Sequence, residues 1–544
     1  MYSILSGRKN WDELTAQFSW NIPERMNIAD VTCDRHAEDP DKIAIYYEDE
    51  EGNEEVWTFL QIQQKANQLA NALEGLGIHQ GDRIGILLPQ RPETAIAHMA
   101  IYKIGAIAIP LASLFGPEAL KYRLDDASAV IVIVDEDSVK KIQQVEKDLP
   151  ELKHVIQVGD SNSEDVKSFQ KLIQNGASKY KTKQLPAMTP ALVIYTSGTT
   201  GNPKGALLAH QCLLGHLTGF ELSHDFAPQP DDLFWTPADW AWIGGLMNIL
   251  LCSWFYGMPV LAYRAKKFDP EKSFTLMHKY RVRNVFMPPT ALRMIRQANL
   301  SSTPKLQLRS MMSAGESVSA EILKWARETF HVTINEMYGQ TEVNYSVGNC
   351  QAILPVKPGS MGKPYPGHVV AILDEEGNEV PHGTSGEIAF HKADDPIFFL
   401  RYWNNEVGTK QKFIGEWAKS GDQGHMDDEG YIWFEGRNDD VIISAGYRIG
   451  PVEIEEQLLK HPSVAMVAVV AKPDDIRGSI IKAFIKPVEE IIPDQSLIQS
   501  IQAFVRKTLA AHEYPREIEF IDEFPLTTTG KIIRRRLRDM EEGK

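Results

Sequence analysis

The chain has 544 residues, too many for one hydrophobic core, so two or more domains are expected. Its composition, 43% hydrophobic and 24% charged, is that of a folded globular protein, and a formal net charge of −16 argues against nucleic acid as its main partner. Four scattered cysteines, Cys33, Cys212, Cys252 and Cys350, make neither a Cys-x-x-Cys pair nor a disulfide framework and read as buried thiols in a reducing compartment. Asp12, Glu13 and Glu24 and the lack of a long apolar run argue against a signal peptide, and no uncharged stretch is long enough for a membrane span, so cytoplasm is the expectation.

Residues 1–40 are polar with scattered aromatics and are expected to wrap the surface of the first domain. Residues 42–47 and 54–59 predict a strand pair around an acidic turn. Residues 61–76 space Ala66, Leu69, Leu73 and Leu76 as a helix. Strands are predicted at 83–88, 106–110, 130–134, 155–158, 191–195, 282–287 and 307–312, with a helix at 93–105. Such alternation implies parallel α/β sheets. Residues 159–185 are polar and read as a variable surface stretch. Past Gly436 the pattern restarts: a strand at 440–443, a helix at 451–460 with Pro451 at its first position, strands at 464–470 and 480–485, and a helix at 497–511. That is a small α+β module of about 100 residues. The basic run from Lys531 to Arg538 reads as a solvated helix face beside an anionic substrate.

The most informative stretch is 191–205. A short apolar strand opens into Thr196, Ser197, Gly198, Thr199, Thr200 and Gly201, then Pro203, Lys204 and Gly205. Bare backbone N–H groups and hydroxyls with little bulk can wrap phosphate oxygens, and Lys204 adds a point charge. The lysine follows a proline, so this is not a Walker A loop. Gly75 to Gly81 fails the Gly-x-Gly-x-x-Gly spacing of a dinucleotide fold. By composition alone, 196–205 reads equally well as an ordinary surface loop.

The stretch Tyr195-Thr-Ser-Gly-Thr-Thr-Gly-Asn-Pro-Lys-Gly205 resembles the signature loop of the adenylate-forming enzymes: acyl-CoA synthetases, nonribosomal-peptide adenylation domains and luciferase. Six further motifs recur in the family order: Gly315-Glu-Ser317, Tyr338-Gly-Gln-Thr-Glu342, Ser420-Gly-Asp422, Gly436-Arg-Asn-Asp-Asp440, Ser444-Ala-Gly-Tyr-Arg-Ile-Gly450 and Thr529-Gly-Lys531. Within the superfamily the chain most resembles the acetyl-CoA and medium-chain acyl-CoA synthetase branch. The resemblance implies an α/β fold: a large N-terminal AMP-binding domain (1–436) of parallel α/β sheets with a smaller β subdomain, and a small mobile α+β C-terminal lid (437–544). It implies a reaction in which a carboxylic acid attacks ATP, releasing pyrophosphate and leaving an acyl-adenylate, and CoA then displaces AMP. Catalysis of the first step is mostly positioning and neutralisation of phosphate charge.

Residue by residue, the resemblance implies these roles. Asp422 holds both ribose hydroxyls, a task that suits a carboxylate, with Arg437 and Arg448 near ribose and phosphates. Gly315, Glu316 and Ser317 form the adenine strip, flanked by Tyr338, Gly339 and Gln340. Thr341 contacts the α-phosphate, Glu342 binds Mg²⁺, and Lys204 belongs to the phosphate loop. Lys531 contacts the substrate carboxylate and α-phosphate. In the family this lysine is an acetylation target, which implies a protein acetyltransferase or deacetylase as partner. Asp439 is the hinge, with Asp440 as runner-up, about which the lid turns between steps. Arg123, Ser444, Gly446, Tyr447 and Arg506 are the expected CoA contacts.

The acyl pocket departs from acetyl-CoA synthetases, which carry tryptophan where Gly339 stands. With Trp242, Ile243, Gly244 and Ala314, Gly339 implies a roomier pocket. Three further buried methylenes at ~0.8 kcal/mol each give a preference of roughly fifty-fold over acetate. The expected substrate is a propionyl-to-medium-chain acid, branched acids included. Rival readings are an enzyme loading a carrier protein in trans, a non-catalytic acyl-adenylate sensor, and a luciferase-like oxygenase. Retention of Lys204, Glu342, Asp422, Arg437 and Lys531 together argues against the sensor.

Overall fold

The computed structural model describes residues 3–541 except 6–9, 160–164, 197–201, 301–302, 439, 441, 445–446, 475–477, 490, 507–513 and 528–529. Its first sheet has eight strands. Five neighbours, Ile107–Pro110, Arg83–Leu87, Ile131–Val134, His154–Gln157 and Val166–Ser168, run parallel. Their centre is apolar on both faces, as Ile131–Val134, buried at every position, shows. That is the pattern of a parallel sheet covered on both sides. Pro190–Thr196 joins the same sheet parallel to Ile107–Pro110, then turns back as Lys204–Ala209, against which Arg401–Tyr402 pairs. Thr196 and Lys204, which flank the expected phosphate loop, are thus paired across the two strands, while 197–201 between them lie outside the described residues.

The second sheet has fourteen strands and changes character part-way. Phe234–Trp235, Asn284–Phe286, Ser310–Ala314 and Ile334–Gln340 run parallel. At the hairpin between Ile334–Gln340 and Val343–Gly348 the pairing becomes antiparallel and stays so through Ser360–Pro364, Ile432–Arg437 and Trp417–Met426. The expected β subdomain is thus hydrogen-bonded into the parallel sheet. Tyr338 to Glu342 sit at the junction, where backbone direction reverses and side chains can face a common cleft.

Beyond residue 442 two small sheets stand apart: a hairpin of Ile442–Ser444 with Tyr447–Ile449, and Val464–Asp474 with Gly478–Pro487 and Glu517–Phe520. Their core includes Ile454, Leu458, Val469, Ile485 and Val505. The helix Pro451–Leu459 has proline at its first position as predicted. Helix Phe59–Gly75 starts at a reciprocal cap between Thr58 and Gln61. All four cysteines are buried and unbonded. Among the described residues no helix is long and apolar enough to cross a membrane.

Three expectations are corrected. The stretch 159–185 supplies the edge strand Val166–Ser168 and the helix Phe169–Asn175, anchored by buried Phe169. The N-terminal segment does not merely wrap the surface. Leu5, Trp11 and Leu14 are buried, the Glu221 carboxylate accepts from Ser3 Oγ (2.6 Å) and the Ile4 N–H (2.7 Å), and Trp20 Nε1 donates to the Gly367 carbonyl at 3.0 Å. The basic helix Arg534–Glu541 is only in part a solvated cationic face: Arg535 and Arg536 are exposed at the cleft, but Arg534 binds Glu455 (2.7 Å), and both Arg534 and Arg538 pair with Asp440.

Candidate active site

A cleft of about 2390 Å³ opens where the antiparallel half of the second sheet meets the C-terminal module, and residues of both line it. Its centre is Asp422. The strand containing it pairs antiparallel with Ile432–Arg437 in a register that sets Asp422 opposite Arg437. Asp422 is 5% exposed. Its carboxylate accepts from Tyr338 Oη (2.6 Å) and Gln340 Nε2 (3.1 Å), and Arg437 lies 3.5 Å away. Burial raises the Asp422 pKa; Arg437, the Tyr338 hydroxyl, Lys412 and Gln340 counter it. Three motif residues from two strands thus converge on the Asp422 carboxylate.

A second group surrounds Glu342. Its buried carboxylate accepts a short hydrogen bond from Tyr402 Oη, and its other oxygen takes no hydrogen bond from the described residues. The pairing of Arg401–Tyr402 with Lys204–Ala209 brings the Tyr402 ring 5.3 Å from Lys204 Nζ. Thr196 lies opposite Lys204 in the hairpin. Lys412, at the C-terminal end of the helix Glu406–Gln411, donates to Gln340 Oε1 at 2.7 Å. Burial lowers the Lys412 pKa, while Glu342 and Asp422 raise it and Arg437 lowers it further. Thr341 also lines the cleft. Among the described residues no group of three or more His, Cys, Asp or Glu could hold a metal.

Lys531 enters from the C-terminal module. Its turn closes on itself, with the Thr527 N–H donating to the Lys531 carbonyl (2.7 Å) and the Lys531 N–H to Thr527 Oγ1 (3.0 Å). The turn docks on the large domain: a Cβ at Gly530 would stand 3.1 Å from Thr290 Cγ2, and one at Gly315 would stand 3.6 Å from Lys531 Cε. The φ of +99° at Gly315 suits glycine. The Lys531 side chain faces the open cleft with protein wrapped behind it. That wrapping lowers its pKa; Glu316 and Asp422 raise it and Arg437 lowers it. Glu316 is held by Arg293 Nη2. Ser317 lines the same wall.

Tyr402, Lys412 and Arg293 were not expected. Tyr402 lies in an Arg-Tyr-Trp string and Lys412 in a polar helix end, so no local pattern marks either. Other expectations fare differently. Ser197 to Gly201, Asp439 and Gly446 lie outside the described residues, and of Ser444, Tyr447 and Arg448 only the backbone is described. Arg123 is 7% exposed, with its guanidinium 4.0 Å over the Phe115 ring and Nη1 bonded to the Ala119 carbonyl (2.7 Å). It is packed into the domain, which does not suit a contact to CoA phosphates. Arg506 is exposed and stacks over Tyr514 at 3.9 Å, away from the cleft lining.

Trp242, Ile243, Gly244, Ala314 and Gly339 all line the cleft. Gly339 is small for a different reason from the one expected. A Cβ there would meet Tyr345 N at 2.7 Å, and Asn344 Cα and Val343 O at 2.9 Å. The hairpin backbone crosses against it, so glycine is required by the fold at that point rather than left open for an acyl chain. A Cβ at Gly244 would instead meet the Phe286 ring, Cε1 at 2.8 Å. There a side chain, which can move, sets the limit.

Residues 33–403 match the model of the AMP-binding enzyme family, and residues 453–531 match the AMP-binding enzyme C-terminal domain. The chain belongs to the AMP-binding enzymes. Relatives of this family share its whole length. It is 35% identical to the acetyl-coenzyme A synthetase of Bacillus subtilis (strain 168), covering 98% of this chain and 95% of that one. It is 34% identical to the human mitochondrial acyl-coenzyme A synthetase ACSM4, covering 96% and 91%. The crystal structure of the anthranilate CoA ligase AuaEII in complex with anthranoyl-AMP superposes with a TM-score of 0.88 at 29% identity, covering 96% of this chain and 98% of that one. As an AMP-binding enzyme this chain has the large α/β domain and C-terminal domain of the adenylate-forming fold.

Proposed function

We propose that this enzyme activates an acid larger than acetate, from propionate to medium-chain acids, branched acids included. The reaction class follows from the family and the relatives: the chain is an AMP-forming acid–thiol ligase. The observation that carries the mechanistic reading is the docking of the Lys531 turn against Gly315 and Thr290, which brings its ammonium into the Asp422 and Glu316 cleft. This arrangement suits the first half-reaction.

In it Lys531, Arg437, Lys204 and Lys412 all line the cleft, cations suited to neutralising the charge that develops on the α-phosphate and the leaving pyrophosphate. Asp422 is positioned for ribose hydroxyls and Tyr338 for the base edge. The free oxygen of Glu342 fits Mg²⁺, which takes one or two carboxylates together with phosphate oxygens and, when bound, would neutralise phosphate charge. The second half-reaction needs CoA where Lys531 now stands. We assign that exchange to rotation of the module beyond 437 about Asp439, with the hairpin around Gly446 turning toward the pantetheine chain.

Room for the acyl group rests on Gly244 and Ala314, with Phe286 as the movable wall. The test is AMP, pyrophosphate and thioester formation with ATP, Mg²⁺ and CoA across straight-chain acids from acetate to decanoate, isobutyrate and 2-methylbutyrate. A maximum beyond acetate with AMP and thioester in equal amounts is expected. A maximum at acetate would overturn the size reading, and no AMP from any acid would overturn the ligase reading.

A further inference from the structure

Two amides meet on the acyl side of the cleft. Asn248 lies one helical turn after Gly244, within the π-helical stretch Leu246–Leu251, a geometry that recurs at functional sites. Asn344 lies on the strand Val343–Gly348, its Cα against Gly339. They are 1% and 4% exposed, and both line the cleft. Asn344 Nδ2 donates to Asn248 Oδ1 at 2.5 Å. Each side-chain amide carries an oxygen acceptor and an NH₂ donor group, so one bond between them leaves the Asn248 NH₂ and the Asn344 oxygen without a partner among the described residues. Exchanging O and N in both amides leaves the same pair of free functions, one donor and one acceptor.

This is a costly arrangement for a pocket meant only for hydrocarbon. Desolvating an unpartnered amide group against an alkyl chain is costly, while a substrate group that satisfies both functions removes that cost. A hydroxyl does so alone: its oxygen accepts from the NH₂ and its hydrogen donates to the amide oxygen. We propose that the preferred acid carries a hydroxyl group remote from its carboxylate, bound between Asn248 and Asn344. This rests on the acid–thiol ligase reading and narrows its substrate class from plain alkyl acids to hydroxylated ones.

The experiment compares acids that differ by one hydroxyl: pentanoate with 4-hydroxypentanoate, hexanoate with 5-hydroxyhexanoate, and benzoate with its three monohydroxy isomers. AMP and thioester are followed in the wild type, Asn248→Leu and Asn344→Leu. The kcat/KM ratio of each hydroxy acid to its parent is internal to each protein, so a loss of active enzyme cancels. The wild type should favour at least one hydroxy acid by about tenfold or more, because a site built to bond a hydroxyl rejects the analogue that lacks it. Both leucine variants should bring that ratio to about one or below. If neither variant folds, the wild-type ratio and that of Asn248→Ala decide. Parent acids preferred throughout, or ratios unchanged in the variants, would show the amide pair to be a structural clasp and overturn the proposal while leaving the ligase reading intact. No AMP from any acid would overturn both.

Discussion

Gly315 and Lys531, far apart in the chain, meet at the wall of the cleft, where a Cβ on the glycine would stand 3.6 Å from the lysine Cε. A methyl there would make only ordinary contact with the lysine; it is the left-handed backbone at Gly315, φ +99°, that calls for glycine. The contact joins the large domain to the C-terminal module at the point where charge must be neutralised.

Lys531→Ala should therefore reduce acyl-adenylate formation by about a hundredfold or more, while thioester formation from supplied acyl-adenylate persists. Separate assays of pyrophosphate release and of thioester formation check this; equal loss in both would remove the assigned role. Because protein wrapped behind Lys531 lowers its pKa, the first half-reaction should decline with rising pH below the ordinary lysine value. Lys531→Arg, which stays charged, should lose that alkaline limb whatever its absolute rate.

Gly339 and Gly244 should respond differently to enlargement. Gly339→Ala drives a methyl into the backbone at 343–345, so all acids should be lost together, along with thermal stability. Gly244→Ala pushes on the Phe286 ring instead and should shift kcat/KM toward shorter acids by roughly tenfold per methylene excluded. Differential scanning fluorimetry and the acid series separate the two outcomes.

Glu336 lies beside the 315–318 stretch of the cleft wall, buried, accepting the Val318 N–H at 3.0 Å. Burial, with the Glu456 charge adding to it, pushes its pKa from 4.5 to about 8. Between those values the folded chain holds a proton that the unfolded chain has released, so stability falls as pH rises across that window. Melting temperature against pH should show this slope, and Glu336→Gln should flatten it.

Asp440 and Glu455 tie the helix after Lys531 to the start of the C-terminal module through Arg534 and Arg538. Asp440→Ala leaves two guanidinium groups short of a partner. A loss of about 1–3 kcal/mol in that module is expected, smaller than for a fully buried pair because the arginines keep part of their exposure. Hydrogen exchange in 451–541 should rise while that of the large domain does not.

Much of this was legible in the sequence. Short apolar runs between helical spacings announced the parallel sheets, and the Tyr338–Glu342, Ser420–Asp422 and Gly436–Arg437 stretches marked residues that do converge. What stayed hidden depends on contacts between distant segments. Tyr402 finds Glu342 only because Arg401–Tyr402 pairs with Lys204–Ala209. Lys412 matters through Gln340, and Asn248 through Asn344. Gly339 shows how a small residue can mislead: absence of a side chain reads as open space, whereas the backbone of the next strand fills it.

The early segment carries a different consequence. Ser3 is hydrogen-bonded to Glu221, 218 positions later, and Trp20 to Gly367, 347 positions later. On a ribosome, Ser3 cannot reach Glu221 until the chain has grown 218 residues further, and Trp20 cannot reach Gly367 until it has grown 347 further. The large domain is thus closed late, by a segment made well before its partners, and a nascent chain must hold Trp11 without the cover that Tyr365 gives it until that stretch has been made. Demand for chaperones during translation, rather than stability once folded, should limit the yield of this enzyme.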